Sequence, residues 1–162
     1  MLLANNGVRQ RLSSSRLAAL ARAAATGHDW PALVQYRPDE RWYHRLELGD
    51  DHEVWLLSWL PGQRTGFHDH GGSAGAFAVV QGELREYTTA SSRGTGMPRG
   101  AGFAAGRVRS FGPAHVHEVV NASTGPAVSV HAYSPPLAGM RRYELTGGRL
   151  VLAAVETAGE RW

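Results

Sequence analysis

The sequence predicts an all-β fold of short strands with a single helical segment in front of it. Apolar segments of four to eight residues follow one another from Trp42 to Val155, many of them separated by glycine. The chain carries 20 glycines and 8 prolines in 162 residues, a turn-rich composition that suits strands better than a helical bundle. After about residue 41 the spacing of apolar residues also changes from a helical period to alternation.

Residues 12–25, LSSSRLAALARAAA, read as a helix. Ser13, Ser14 or Ser15 can cap it and Gly27 can end it, while Leu17, Leu20 and Ala21 share a face that Ala24 extends. From there to about residue 40, Trp30, Pro31, Tyr36 and Pro38 suggest an irregular linker that packs by its aromatic rings. Trp42–Leu48 reads as the first strand, followed by a turn at Gly49, Asp50 and Asp51. Glu53–Leu60 (EVWLLSWL) is nearly continuous in apolar residues, which implies burial on both faces; Pro61 and Gly62 break it. Further strands are expected at Phe77–Val80, Glu83–Tyr87, Gly102–Ala105, Val108–Phe111, His117–Val120, Val128–Tyr133 and 149–155. Residues 88–101 are polar and glycine-rich, and read as an exposed loop between two halves. The expected organisation is one domain over 1–162, with a barrel core at about 42–155 and an N-terminal helical extension at about 12–41.

Composition narrows the chemistry. There is no cysteine, so disulfides, thiolate metal sites, iron–sulfur clusters and cysteine nucleophiles are excluded, and any metal must take nitrogen or oxygen ligands. The formal net charge is +3, from 17 basic residues that are scattered rather than gathered into a tract, so no nucleic-acid partner is expected. No apolar run approaches 18 residues, which predicts no membrane partner, and Arg9, Arg11 and Arg16 interrupt the start of the chain where a signal peptide would be apolar. The default expectation is a cytoplasmic protein.

Eight histidines stand at 28, 44, 52, 68, 70, 115, 117 and 131. His68 and His70 lie in GFHDHGG; two residues apart on a strand, they point to one face and could reach one ion, or they are two surface histidines at a turn. His115 and His117 repeat the spacing in FGPAHVHEVVN, and a three-histidine site needs only one of them. Two such pairs in a chain of short strands point to a metal far more strongly than either alone. The nearest carboxylates, Glu83 and Glu86, stand too far along the chain to be expected as ligands. A three-nitrogen site with open positions suits a redox ion that binds both a substrate and O₂, or a zinc ion that activates water. In PAVSVHAYSPP, Ser129, His131 and Tyr133 alternate onto one face, opposite Val128, Val130 and Ala132. Three polar side chains turned inward must satisfy one another, as a structural network or as a relay that positions the tyrosine hydroxyl.

These segments carry a resemblance to the cupin superfamily and, within it, to the bacterial cysteine dioxygenase type I family of thiol dioxygenases. Residues 61–82, PGQRTGFHDHGGSAGAFAVVQG, resemble the first cupin motif through the histidine pair and the closing Gly82. Residues 106–121, GRVRSFGPAHVHEVVN, resemble the second at Gly106, His117 and Asn121, and residues 126–136 resemble the segment that distinguishes the family from other cupins. The resemblance implies a jelly-roll β-barrel in which His68, His70 and His117 hold Fe(2+), Asn121 is structural, and Ser129, His131 and Tyr133 form a network beside the iron. It implies that His117 rather than His115 is the third ligand, from its spacing to Asn121, and that the Ser134–Pro135 bond is cis. It also implies that Arg45, with Tyr43 on the same face, binds the substrate carboxylate, a task the planar fork of a guanidinium suits. Gly75 occupies the place where some relatives have a cysteine cross-linked to the active-site tyrosine, so Tyr133 is expected to be a free phenol. The implied activity converts L-cysteine and O₂ to cysteine sulfinate. The alternatives are a dioxygenase for 3-mercaptopropionate or another small thiol, a cupin isomerase or zinc hydrolase, and a ligand-binding cupin module without catalysis.

Overall fold

In the computed structural model, which describes residues 11–27, 29–89 and 96–157, the alternating segments become strands. In chain order they are β1 (Trp42–Leu48), β2 (Glu53–Trp59), β3 (Phe67–His68), β4 (Ala74–Gln81), β5 (Glu83–Thr88), β6 (Arg99–Ala104), β7 (Val108–Phe111), β8 (His117–Val120), β9 (Ala127–Ser134), β10 (Gly139–Thr146) and β11 (Arg149–Thr157). Two helices precede them, α1 (Ser14–Gly27) and α2 (Trp30–Leu33). Arg9, His28 and residues 90–95 of the expected loop lie outside the described residues.

The strands form two antiparallel sheets, one in the order β1-β2-β9-β4-β7 and the other in the order β11-β10-β3-β8-β5-β6. Leu57, Trp59, Phe77 and Val79 of the first sheet pack against Leu84, Val119 and Met140 of the second, so the sheets enclose one core as a jelly roll. A second cluster lies on the outer face of the first sheet, where Leu17 and Ala21 of α1 cover Val54, Leu56, Ala76, Val128, Val130 and Ala132. This explains why β2 and β9 read as unbroken apolar runs: one face meets the opposite sheet and the other meets a helix. Ser13 opens α1 as expected, with its carbonyl accepting from Leu17 N–H and its hydroxyl from Arg16 N–H. The chain just before the helix is tied to the barrel, since Leu12 N–H donates to the Ser134 hydroxyl at 2.9 Å.

Apart from shifted strand ends, among them β6 beginning at Arg99 inside the expected loop 88–101, the structure corrects the element reading in three places. The segment read as an irregular linker contains α2, one helical turn with Pro31 in its first turn. The strand after Gly66 is only two residues long, so His68 ends β3 and His70 lies in the turn that follows. The third difference is β10, which was not expected at all. Its sequence GMRRYELT holds three charges and only a broken alternation, yet it pairs with β3 on one side and β11 on the other. Among the described residues no helix is long and apolar enough to cross a membrane.

Candidate metal centre

The metal centre is assembled by strand pairing. His68 on β3 stands directly opposite His117 on β8, an antiparallel register that places two side chains from distant segments side by side. His70, two residues on, joins them as β3 gives way to the turn. The rings of His68 and His70 have centroids 4.8 Å apart, His68 and His117 4.8 Å, and His70 and His117 5.1 Å. One ligand atom from each of the three lies within 4.8 Å of the others, and all three side chains are buried.

Their hydrogen bonds show which atoms are available. His68 Nδ1 donates to the carbonyl of Gly66 at 3.0 Å, and His117 Nδ1 donates to Glu86 Oε1 at 2.7 Å. Both rings therefore keep Nε2 with its lone pair free. His70 is the telling case, because both of its ring nitrogens are buried without a hydrogen-bond partner among the described residues. Burial holds His68 and His70 well below the usual imidazole range and lowers His117 as well, so all three are neutral donors. Three buried neutral imidazoles, one of them orphaned, fit a divalent transition metal.

Ser129, His131 and Tyr133 share the inner face of β9, as their alternation predicts. Trp59 Nε1–H donates to Ser129 Oγ at 2.9 Å, Ser129 Oγ lies 2.8 Å from His131 Nε2, and His131 Nδ1 lies 3.3 Å from the Tyr133 hydroxyl. The indole N–H can only donate, so Ser129 Oγ accepts from Trp59, and His131 bridges Ser129 to the Tyr133 hydroxyl through its two ring nitrogens. Burial, with the neighbouring His117 and Arg41 adding to it, pushes His131 down to about 3, and burial raises the Tyr133 phenol above its ordinary value. The peptide bond after Ser134 is cis, as expected.

A cavity beside the histidines is lined by His68, His117, His131 and Tyr133, by the apolar Trp55, Leu57, Val119, Leu137 and Met140, and by Tyr43, Thr65, Arg41 and Arg142. Tyr43 lines this cavity. Arg45 is absent from the lining: its side chain is 47% exposed, with Cζ 5.4 Å from the Trp55 ring centre and Nη1 3.9 Å from Glu53. Arg41, four residues earlier, takes the inward position. Its guanidinium lies over the Trp59 ring at 5.1 Å and has no hydrogen bond or ion pair among the described residues. Burial and the neighbouring Arg142 pull it down to about 10. Arg142 is committed in part, donating from Nε to Glu156 at 2.9 Å and from Nη1 to the Thr65 carbonyl at 3.1 Å.

Sequence reasoning missed Arg41, Arg142 and Glu86. Arg41 precedes the first strand, with no period to orient it, and Arg142 lies on the unrecognised β10. Glu86 stands 31 residues from His117 along the chain, yet it is 2% exposed and bonded to it. Asn121 proves to be structural: its amide donates to the carbonyls of Trp59 and Gly125, and its oxygen accepts from Ser123, closing the turn after β8.

A jelly roll that gathers three imidazoles from two paired strands and the turn that follows one of them is a metal-binding cupin. A family model described as cysteine dioxygenase type I matches residues 8–146, and the chain belongs to that family. No curated protein matches it. Among solved structures it is similar to TT1209 from Thermus thermophilus, at 23% identity and a TM-score of 0.58, covering 67% of this chain and 96% of that one. It is also similar to a conserved protein with a double-stranded β-helix domain from Klebsiella pneumoniae, at 19% identity and a TM-score of 0.57, covering 78% and 96%. A third likeness is to an RmlC-like cupin from Desulfovibrio desulfuricans, at 14% identity and a TM-score of 0.55, covering 68% and 96%. At these identities the structural likenesses speak for the fold.

Proposed function

We propose that this chain is an iron-dependent thiol dioxygenase that converts L-cysteine and O₂ to cysteine sulfinate. The observation that carries the reading is the all-histidine donor set, with His70 orphaned, in a member of the cysteine dioxygenase type I family. His68, His70 and His117 would hold Fe(2+), which when bound supplies open coordination positions and the redox capacity to bring a thiolate and O₂ together. The reaction balances without a further reductant: R–SH and O₂ give R–SO₂H, with sulfur losing four electrons and dioxygen gaining four.

The chain's own residues bind and orient. The apolar wall of Trp55, Leu57, Val119, Leu137 and Met140 keeps bulk water from the reacting atoms. Arg41 supplies a cation without a hydrogen-bonding or ion-pair partner among the described residues, and a substrate carboxylate would pair with it, which fixes the substrate by its end remote from sulfur. Tyr133, held by His131 and Ser129, presents a phenolic proton that can hydrogen-bond to the substrate's sulfur or to the oxygen it gains. Because burial keeps that phenol protonated, it is a donor throughout.

The test is anaerobic loading with iron(II), then O₂ uptake with L-cysteine and with 3-mercaptopropionate, the product being identified by mass. One sulfinate per O₂ from L-cysteine is the expected result. Preference for 3-mercaptopropionate would keep the chemistry and change the substrate. No uptake with either by protein verified to contain iron would reject the reading for these thiols.

A further inference from the structure

We propose that Glu86 is the positioning residue of this metal centre: its carboxylate locks the His117 ring with Nδ1–H toward Glu86 and Nε2 toward His68 and His70. The inference rests on the reading of these three histidines as the metal-holding set, and it assigns a role to a residue outside that set.

Glu86 lies on β5, and the antiparallel pairing of β5 with β8 sets it opposite Val119, two residues along β8 from His117. Its carboxylate is 2% exposed and fully engaged. Oε1 accepts from His117 Nδ1 at 2.7 Å and from His115 Nε2 at 2.8 Å, while Oε2 accepts from Arg109 Nε at 2.8 Å. Arg109 and His115 therefore hold the carboxylate in place. A carboxylate behind a ligating imidazole fixes the tautomer, stops ring rotation and makes the far nitrogen a stronger donor. Among the described residues His68 bonds the neutral Gly66 carbonyl at the same position and His70 has no partner, so of the three only His117 has an anionic anchor there.

Glu86, His115 and His117 also lie close enough to be read as a second cation site. The hydrogen bonds oppose that. The His117 nitrogen facing Glu86 carries a proton and cannot also coordinate, and Arg109 already places a positive charge on the carboxylate. His115 thereby gains a function that its place in the H-x-H repeat did not reveal: it is a brace for Glu86.

The full chain labelled with ¹⁵N-histidine and loaded with zinc(II), which is diamagnetic, reports this directly. Long-range ¹H–¹⁵N correlation should show His117 protonated at Nδ1, with that proton shifted far downfield by the carboxylate. Glu86→Gln should lose the downfield shift and raise the zinc(II) and iron(II) dissociation constants about 10- to 100-fold, while His115→Gln should raise them by a smaller factor. Glu86→Asp should recover part of the affinity, which a merely space-filling role would not predict. A proton on Nε2 of His117 in the wild-type chain would overturn the proposal, and that measurement needs no variant to fold. Unchanged affinity in folded Glu86→Gln, an affinity loss in His115→Gln equal to that in Glu86→Gln, or two zinc ions per chain would each overturn it too. A wild-type chain that binds no metal would instead reject the three-histidine centre itself, and Glu86's role with it.

Discussion

Arg41 and Arg45 stand four residues apart, and only one of them reaches the cavity. The family resemblance points to Arg45, whereas the structure leaves Arg45 half in solvent over Trp55 and turns Arg41 toward the cavity. A hydrogen bond to a charged group contributes about 1.5–3 kcal/mol, so Arg41→Gln is expected to raise KM for L-cysteine roughly 10- to 100-fold. Arg45→Gln should change it by a few-fold at most, and steady-state O₂ uptake with both variants decides between them. His131 carries a second expectation at this scale. Its folded-state value, about 3, lies below the ordinary 6.5, so the unfolded chain binds the proton more readily than the folded one. Stability from this group is complete above about pH 6.5 and is lost as pH falls toward about 3. Denaturant melts across that window should show a shallower pH dependence for His131→Asn than for the wild type.

At the scale of elements, the pairing of β4 with β9 and β7 decides how closely the site is packed. Gly75 on β4 pairs with Tyr133 on β9 and with Phe111 on β7. A Cβ at Gly75 would come within 2.5 Å of Phe111 Cζ and 3.0 Å of Tyr133 Cδ1. Phe111 is stacked on His70 at 4.9 Å and on His115 at 5.0 Å, so the ring takes up the space in front of Gly75 and transmits any push to the metal centre. Gly75→Ala is expected to cost about 1–3 kcal/mol of stability by overpacking, read from its unfolding midpoint, and to weaken metal binding through His70. The bounds of β1, β7 and β8 are legible in the sequence to the residue, and the inward triad of β9 is legible from its alternation. The period fails for β10, because Arg142 turns toward the cavity while Arg141 stays half in solvent, and a strand with charge on both faces keeps no apolar rhythm. It fails for β3, because two residues are too few to show one.

At the scale of the whole molecule, the two sheets bring four neutral buried histidines together with Arg41 and Arg142, a concentration of polar groups that folding alone does not favour. Metal binding offsets part of that cost. Chelator-stripped protein is therefore expected to unfold at lower temperature, and free metal at about 100 times its dissociation constant should restore about 2.7 kcal/mol. Thermal melts with and without iron(II) under anaerobic conditions check this. A Leu17 variant, altered on the outer face of the barrel beneath α1, should show the same metal increment.

The sequence by itself determined the all-β class, the leading helix, the nitrogen-or-oxygen donor set and the polar face of β9. Each of these is a property of local period or of residue type, which the chain carries wherever it folds. The tertiary structure alone decided which histidine meets which, that Arg41 and not Arg45 lines the cavity, and that Glu86 stands behind His117. Those are matters of register between strands far apart in the chain. A carboxylate 31 residues from His117 becomes its neighbour only when β5 and β8 pair, and nothing in the intervening residues encodes that distance.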